Sequence, residues 1–189
     1  IRRPPTSTLF PYTTLFRSNL PEYTSWLYNA LKPHEKDIYD LLIMDNGSLP
    51  HLIPANTTIK LEKNLFWGGA LNVAFKLVLE NPEYDSLLYL NNDLELTGEI
   101  FVEALRWELF QQNFVIVSPC ISGKAAPWKQ MQNWATRKTR EVKWIDNQAP
   151  LFHRKIIEAL RQFPDELYYG WGQELICFEI GRASCRERV

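Results

Sequence analysis

Residues 86–96 read Ser-Leu-Leu-Tyr-Leu-Asn-Asn-Asp-Leu-Glu-Leu, and this stretch decides the fold. Its apolar run, Leu87 to Leu90, is typical of a strand buried on both faces of a parallel sheet. Ligands of open α/β sheets bind beyond the carboxyl ends of such strands, which is where Asn91, Asn92 and Asp93 follow. Carboxylate and amide oxygens suit Mg²⁺ or Mn²⁺ carrying a diphosphate. The alternative is an ordinary strand-ending turn, in which Asn and Asp are common.

The length and composition indicate one globular domain. The chain has 189 residues, of which 46% are hydrophobic, so it can bury a substantial core. It contains no apolar run long enough to span a bilayer. We therefore expect no transmembrane segment in this sequence.

The two ends of the chain can be encoded by complementary DNA. One strand of a common short-read sequencing adapter encodes Thr8–Ser18, and its complement encodes Ile180–Val189. Two ends of a protein have no physical reason to share such coding. We therefore predict that residues 1–18 and 180–189 are adapter-derived tails, and that 19–179 is part of a longer protein whose first strand is missing.

The net charge and the cysteine content restrict the possible functions and cellular locations further. Without the tails, which hold six arginines and one glutamate, the remainder has 15 basic and 21 acidic residues and a formal net charge of −6 rather than −1. This acidity argues against a nucleic-acid partner. Cys120 and Cys177 lack metal-type spacing, and both are expected to pack as small apolar residues. We expect a cytoplasmic protein, with a peripheral position at the inner membrane face as an alternative.

Helices and strands alternate along the native part. Apolar spacing and chain breakers predict helices over 19–32, 70–80, 99–112 and 152–163, and strands over 38–44, 57–61, 86–91, 114–118 and 141–145. Residues 122–140 are predicted to form a loop-rich insertion, and Gly172 or Gln173 is predicted to open a last helix. This order indicates an α/β fold, a mostly parallel open sheet flanked by helices.

Polar clusters follow two of these strands and one aromatic loop. Asp45–Ser48 reads Asp-Asn-Gly-Ser, and Asn91–Asp93 follows the opening strand. Gly170–Glu174 reads Gly-Trp-Gly-Gln-Glu. Parallel strands would bring the first two clusters to the same sheet edge. The turn Trp67–Gly69, just before a predicted helix, could offer backbone N–H groups to a phosphate.

Together and in this order, the motifs resemble those of the family 2 inverting glycosyltransferases. The matching positions are Asp45–Ser48, Asn64, Gly68, Gly69, Asn72, Leu90–Asp93 and Gly170–Glu174. The resemblance covers nearly all of 19–179 and implies the A-type, Rossmann-like nucleotide-diphospho-sugar transferase fold, truncated at both ends. Asn91 replaces the first acid of the family's Asp-x-Asp motif, and Gln173 replaces the first acid of the last motif.

This resemblance implies an enzyme, a glycosyltransferase of the hexosyl or rhamnosyl type. It would move a sugar from a nucleoside-diphosphate donor to a saccharide or lipid-linked acceptor, with inversion and with Mg²⁺ or Mn²⁺ as cofactor. Bacterial surface polysaccharide biosynthesis is the expected setting. The rival interpretations are a catalytically inert sugar-nucleotide-binding or scaffold domain of the same fold, and a nucleotidyltransferase.

The resemblance also implies individual roles. Asp45 would accept a hydrogen bond from the nucleotide base, Asp93 would bind the divalent ion, and Glu174 would be the catalytic general base. The other residues implied to bind the donor are Asn46, Ser48, Asn64, Gly68, Asn72, Asn91, Asn92 and Trp171. The structural alternatives are that Asp45 only forms a turn, that Glu174 stabilises a helix dipole, and that Trp171 is a core aromatic.

Overall fold

A computed structural model describes residues 10–17, 21–35, 38–96, 101–120, 139–167, 169, 172, 173, 176 and 183–186. The strands are β1 (Phe10–Arg17), β2 (Asp40–Asn46), β3 (Ile59–Leu61), β4 (Tyr84–Asn91), β5 (Ile116–Pro119), β6 (Thr139–Val142), β7 (Leu151–His153) and β8 (Ala183–Arg186). The α-helices are α1 (Pro21–Leu31), α2 (Phe66–Glu80), α3 (Phe101–Gln111) and α4 (Arg154–Leu160). Short 3₁₀ turns cover Lys32–His34, Pro50–Leu52 and Asp165–Leu167.

The eight strands form one open sheet in the order β3-β2-β1-β4-β7-β5-β8-β6. Strands β3, β2, β1 and β4 are mutually parallel. Strand β7 runs antiparallel between β4 and β5, and β6 is antiparallel to β8. The predicted α/β class is confirmed, and the parallel half of the sheet is the half that carries the polar strand ends.

Two hydrophobic layers cover the sheet, one on each face. Helices α2 and α4 contribute to one core, and α1 and α3 contribute to the other. Strand β4 supplies both, because Leu87 and Tyr89 lie in the first core while Leu88 and Leu90 lie in the second. All four are fully buried, as the continuous apolar run predicts.

Strands β1 and β8 lie in the two stretches for which no native element is predicted. Strand β1 pairs with β2 up to Arg17 opposite Asp45, and with β4 up to Phe16 opposite Asn91. The expected gap at the first strand is therefore filled in this chain by residues 10–17. A strand is needed there, because β2 and β4 would otherwise face each other across unpaired backbone groups.

Three predicted boundaries need correction. Strand β2 runs to Asn46, so Asp45 and Asn46 belong to the strand rather than to the turn. Helix α2 begins at Phe66, because the glycines read as a turn form its first turn instead. Residues 151–153 are strand β7, where a helix is predicted from 152, because Leu151 and Phe152 are buried in pairing with β4 and β5.

The other boundaries lie close to their predictions. Helices α1 and α3 and strands β3, β4 and β5 appear where expected, with ends shifted by a few residues. Strand β6 lies at Thr139–Val142 rather than 141–145. Most of the predicted insertion lies outside the described residues. Among the described helices, none is long and apolar enough to cross a membrane. Cys120 is partly buried and packs against the core, as predicted, and Cys177 lies outside the described part.

Arg154, the first residue of α4, binds the C-terminal end of α2. Its Nη1 donates hydrogen bonds of 2.9 Å to the carbonyl oxygens of Val78, Asn81 and Tyr84. A cation at a helix C-terminus satisfies carbonyl groups that have no partner within the helix and interacts favourably with the helix dipole. The contact fixes α2, whose opposite end reaches the polar strand ends.

His153 caps α4 and is expected to make stability depend on pH. Its Nδ1 accepts a hydrogen bond from the backbone N–H of Lys155 at 3.1 Å. Burial, and to a lesser extent the charge of Lys155, lowers the pKa of His153 below its ordinary 6.5. The unfolded chain then binds more protons than the folded chain just below that pH. The free energy of unfolding should therefore fall as the pH drops below about 6.5.

The variant His153→Asn should flatten this part of the profile, because asparagine can still accept the Lys155 N–H but does not titrate. Urea unfolding between pH 7.5 and pH 5 measures the effect. His51→Asn, at an exposed histidine, is the control and should keep the wild-type slope. Equal slopes in wild type and His153→Asn would show that His153 does not cause the dependence.

Candidate functional site

The end of β2 is a buried polar corner. Asp45 and Asn46 are both fully buried. One carboxylate oxygen of Asp45, Oδ2, accepts a hydrogen bond from the backbone N–H of Ser48 at 3.0 Å, which closes the turn after the strand. Asp45 thus lies in the strand, while its side chain closes the turn that follows, at the sheet edge where ligands of such sheets bind.

Asn46 joins the end of β2 to the start of α2. Its Nδ2 donates to Asn64 Oδ1 at 2.7 Å, and its Oδ1 accepts from the Leu65 N–H at 2.9 Å. Asn64 Oδ1 also accepts from the Phe66 N–H at 2.7 Å, so it satisfies a free donor at the helix start. Both amides therefore position α2.

Gly47 follows this corner in a backbone conformation that few other residues adopt, with φ at +72°. A Cβ atom at this position would lie 2.4 Å from the backbone nitrogen of Asn64 and 2.4 Å from the carbonyl carbon of Lys63. Both contacts are with backbone atoms, so no side chain can rotate away. Glycine is needed here for two separate reasons, its φ angle and the close approach of the second chain segment.

The three polar residues after β4 point in different directions. Asn91 Oδ1 accepts a hydrogen bond from Trp67 Nε1 at 3.1 Å, on the α2 side of the sheet. Asn92 is buried on the opposite side, where its Nδ2 donates to Thr24 Oγ1 of α1 at 3.2 Å. Asp93 is exposed. Of the three side chains, Asp93 is the one that solvent reaches freely.

The strand ends lie at the same sheet edge, as their positions predict. Asp45 is paired with Arg17 of β1, and Asn91 is paired with Phe16 of the same strand. They therefore lie at nearly the same level on strands two positions apart, about 10 Å from backbone to backbone. Trp67 connects the two ends, because α2 starts beside β2 and the Trp67 side chain reaches Asn91.

Asp93 also borders a surface cavity of about 530 Å³ between the β4 end and α1. Its lining residues are Glu22, Tyr23, Trp26, Asp93, Leu94 and Glu95. Within the described part of the chain, no group of three or more His, Cys, Asp and Glu is arranged to hold a metal ion. A divalent cation bound together with a diphosphate needs only one or two protein carboxylates, and the exposed Asp93 can supply one.

Asn72 belongs to the framework of this edge. Its Nδ2 donates to the Phe163 carbonyl at 3.0 Å, and its Oδ1 accepts from the Phe163 N–H at 2.8 Å. This reciprocal pair attaches α2 to the segment after α4. Gly68 is buried in the first turn of α2, and Ser48 is half-buried.

The aromatic loop of the last motif lies beside the start of α2. Tyr169 contacts Phe66 with ring centroids 4.6 Å apart, in an edge-to-face geometry. Gln173 is buried, and its Nε2 donates to the Leu167 carbonyl at 2.8 Å. Glu174 and Trp171 lie outside the described residues. The described part of this loop is thus next to the helix that meets both strand ends.

Sequence reasoning missed several residues that shape this edge. The sequence places Trp67 in a possible phosphate-binding turn and between motif positions, but it does not predict the contact of its side chain with Asn91, nor that of Thr24 with Asn92. Tyr23 and Trp26 belong to the apolar spacing that predicts helix 19–32, yet both are about half exposed. Their spacing of three residues places them on one side of the helix, beside the stripe of Thr24, Leu27 and Leu31 that is buried.

No family model and no curated protein sequence matches the chain. Solved structures do resemble it. TarS of S. aureus (residues 1–349) is similar with a TM-score of 0.67 and 14% identity over 93% of this chain and 58% of TarS. The mannosyltransferase PcManGT of Pyrobaculum calidifontis, solved with GDP-Man and Mn²⁺, has a TM-score of 0.62 and 15% identity over 86% of this chain and 50% of its own.

A CMP:2-keto-3-deoxy-manno-octonic acid synthetase, solved with CTP, has a TM-score of 0.61 and 10% identity over 94% of this chain and 89% of its own. At these identities the similarity establishes the fold, which is the nucleotide-diphospho-sugar transferase fold. The chain spans 58% of the TarS fragment 1–349 and 50% of the mannosyltransferase.

Glycine is needed at position 47 for its φ angle and for the close approach of another backbone segment. A comparison of Gly47 with Gly172 separates these two requirements. Both have positive φ, at +72° and +89°. Among the described residues, a Cβ at Gly172 would meet only Leu167 Cδ2, at 3.7 Å. Gly172→Ala should therefore lower the free energy of unfolding only through the unfavourable φ angle, by about 1–2 kcal/mol. Gly47→Ala should lower the free energy of unfolding by the same amount and by roughly a further 1–3 kcal/mol, because its Cβ would clash with backbone atoms of the Lys63–Asn64 segment.

Urea unfolding of the two alanine variants measures this difference. Equal destabilisation by both substitutions would mean that the Lys63–Asn64 segment moves aside without cost. It would then follow that this segment does not hold the β2 corner rigidly.

Proposed function

We propose that this chain is part of a glycosyltransferase that moves a sugar from a nucleoside-diphosphate donor to a saccharide or lipid-linked acceptor, with inversion and with help from Mg²⁺ or Mn²⁺. The proposal rests on one observation, which is that Asp45 and Asn91–Asp93 lie at the same edge of a sheet with this fold. Such an edge is where ligands of α/β sheets bind. Assignment to family 2, the hexosyl or rhamnosyl type and bacterial polysaccharide synthesis belong to the same proposal.

In this proposal Asp45 recognises the nucleotide base, and its turn to Ser48 fixes the carboxylate orientation. Asp93 holds the divalent ion, with Asn91 and Asn92 beside it. The ion, when bound, neutralises the charge that develops on the leaving diphosphate. Support comes from the exposure of Asp93 and from the mannosyltransferase of similar fold, which was solved with GDP-Man and Mn²⁺.

Glu174 is proposed to be the general base. It takes the proton from the acceptor hydroxyl as that oxygen attacks the anomeric carbon from the face opposite the leaving group, which inverts the centre. Its neighbour Gln173 is anchored to the Leu167 carbonyl, which limits the freedom of the loop. Trp171 is proposed to stack on a sugar ring.

We further infer that residues 1–18 and 180–189 are translated adapter DNA and that residues 19–179 are a partial domain. The native protein would then supply its own strand at the position of β1. The support is the complementary coding of the two ends. Sequencing the source DNA across both junctions tests this inference directly. The native reading frame should contain no adapter sequence, and it should encode a different strand before residue 19.

A nucleotidyltransferase is the second candidate. It is favoured by the similarity to the CMP:2-keto-3-deoxy-manno-octonic acid synthetase, of which the chain covers 89%. The two reactions differ in what they release. A nucleotidyltransferase forms pyrophosphate from a nucleoside triphosphate and a sugar, whereas a glycosyltransferase releases a nucleoside diphosphate from a nucleotide sugar. An inert binding domain would release neither.

Asp93→Ala should weaken metal-dependent nucleotide binding. Calorimetric titration of UDP, GDP and dTDP, each with and without Mn²⁺, measures it. At least one nucleotide should bind more tightly with Mn²⁺, and the substitution should weaken that binding about tenfold or more because a carboxylate ligand is lost. Glu83→Gln removes an exposed carboxylate outside the site and should change nothing. Equal nucleotide affinity with and without Mn²⁺ would contradict the proposed role of Asp93.

Glu174→Gln should separate catalysis from binding. Nucleotide affinity should remain within about twofold, while slow hydrolysis of the sugar nucleotide, with water as acceptor, should fall by about 10²–10⁴ because proton removal is lost. Release of free sugar from the donor is the readout. Glu166→Gln, at an exposed glutamate eight residues before Glu174, is the matched control. A larger loss in that control would assign the base to Glu166 instead.

A further inference from the structure

The exposed face of α1 presents two aromatic rings beside the end of β4. Tyr23 is 50% exposed and Trp26 is 46% exposed. Helix α1 buries Thr24, Leu27 and Leu31 against the sheet, so the aromatic residues are not part of that contact. Both rings line the cavity that Asp93 borders. Large aromatic residues that remain half exposed around a cavity are typical of ligand sites.

The chemistry of the lining restricts the ligand. Besides the two rings and Leu94, the lining residues are the carboxylates Glu22, Asp93 and Glu95, and no cationic side chain of the described chain is among them. Three carboxylates disfavour an anionic ligand such as a free phosphate. They readily accept hydrogen bonds from hydroxyl groups, and aromatic faces pack against the apolar C–H face of a pyranose ring.

We propose that this cavity binds a neutral sugar ring of the acceptor. The cavity volume of about 530 Å³ lies within the usual range of small-ligand sites and is larger than a single ammonium group requires. The assignment to the acceptor rests on the proposed function, because Asp93 would then mark the end of the donor site. Tyr23 and Trp26 supply the stacking surface, and Glu22 and Glu95 accept hydroxyl hydrogen bonds.

Saturation-transfer difference NMR on the full chain tests the proposal. The probes are methyl glycosides of glucose, galactose, rhamnose and N-acetylglucosamine, measured with UDP and the diamagnetic ion Mg²⁺ present so that the donor site is occupied. At least one glycoside should give signals from its ring C–H protons. Trp26→Ala and Tyr23→Ala should reduce those signals at least fivefold, and Trp26→Phe should retain about half because the ring surface is kept.

Trp107→Ala is the matched control. Trp107 is 48% exposed, close to the exposure of Trp26, but it lies on α3 and does not line the cavity. It should leave the signals unchanged. Thermal unfolding of each variant checks the fold, and Trp26→Phe keeps the test informative should an alanine variant unfold.

The outcomes separate this proposal from the proposed function. UDP binding without any sugar signal overturns the sugar site alone. Sugar signals that depend on Trp26, in a chain that binds no nucleotide, support the sugar site and count against the glycosyltransferase. Equal loss of signal in Trp26→Ala and Trp107→Ala overturns the site. So does a stronger response to tetramethylammonium than to any glycoside, since that would indicate a cation–π site.

Discussion

The burial of β4 on both faces is the constraint on which the rest of the structure depends. Leu87 and Tyr89 enter one core and Leu88 and Leu90 the other, so the strand cannot sit at an exposed edge or shift by one residue without exchanging the two faces. It must be paired on both sides and covered by helices on both faces. The polar residues that follow it are then fixed at the carboxyl edge, and their side chains diverge towards α2 and α1.

Several motif residues serve the framework of this edge rather than its open surface. Asn46 and Asn64 place the start of α2, and Asn72 attaches α2 to Phe163. A buried amide that loses such partners is costly, so these positions restrict the chain whether or not a ligand is present. The polar motifs of this sequence therefore contain two kinds of residues. Asp93, exposed beside a cavity, is of the kind that can meet a ligand.

The sequence predicts most elements because their signals are local. The apolar run of β4 and the helical spacing of α1 need no knowledge of the partner. Strand β7 was missed because three residues are too few to show a period of two, and their pairing lies with β4 and β5. The bond between Asn46 and Asn64 spans 18 residues and has no local signature. The coding of the N-terminal tail predicts no native strand at β1, although its backbone pairs with both neighbours, with one register shift against β4 between Phe10 and Pro11.

The charge around Asp93 connects the two proposed sites. Glu22, Asp93 and Glu95 line one cavity, so a diphosphate that approaches it meets three carboxylates and is repelled. In the proposed function, a divalent cation at Asp93 would reverse that repulsion and make donor binding conditional on the metal. A neutral sugar would need no such cation, because its hydroxyl groups can donate to the carboxylates. Under the two proposals, the same acidic cluster would thus favour a metal-accompanied donor on one side of Asp93 and an uncharged acceptor on the other.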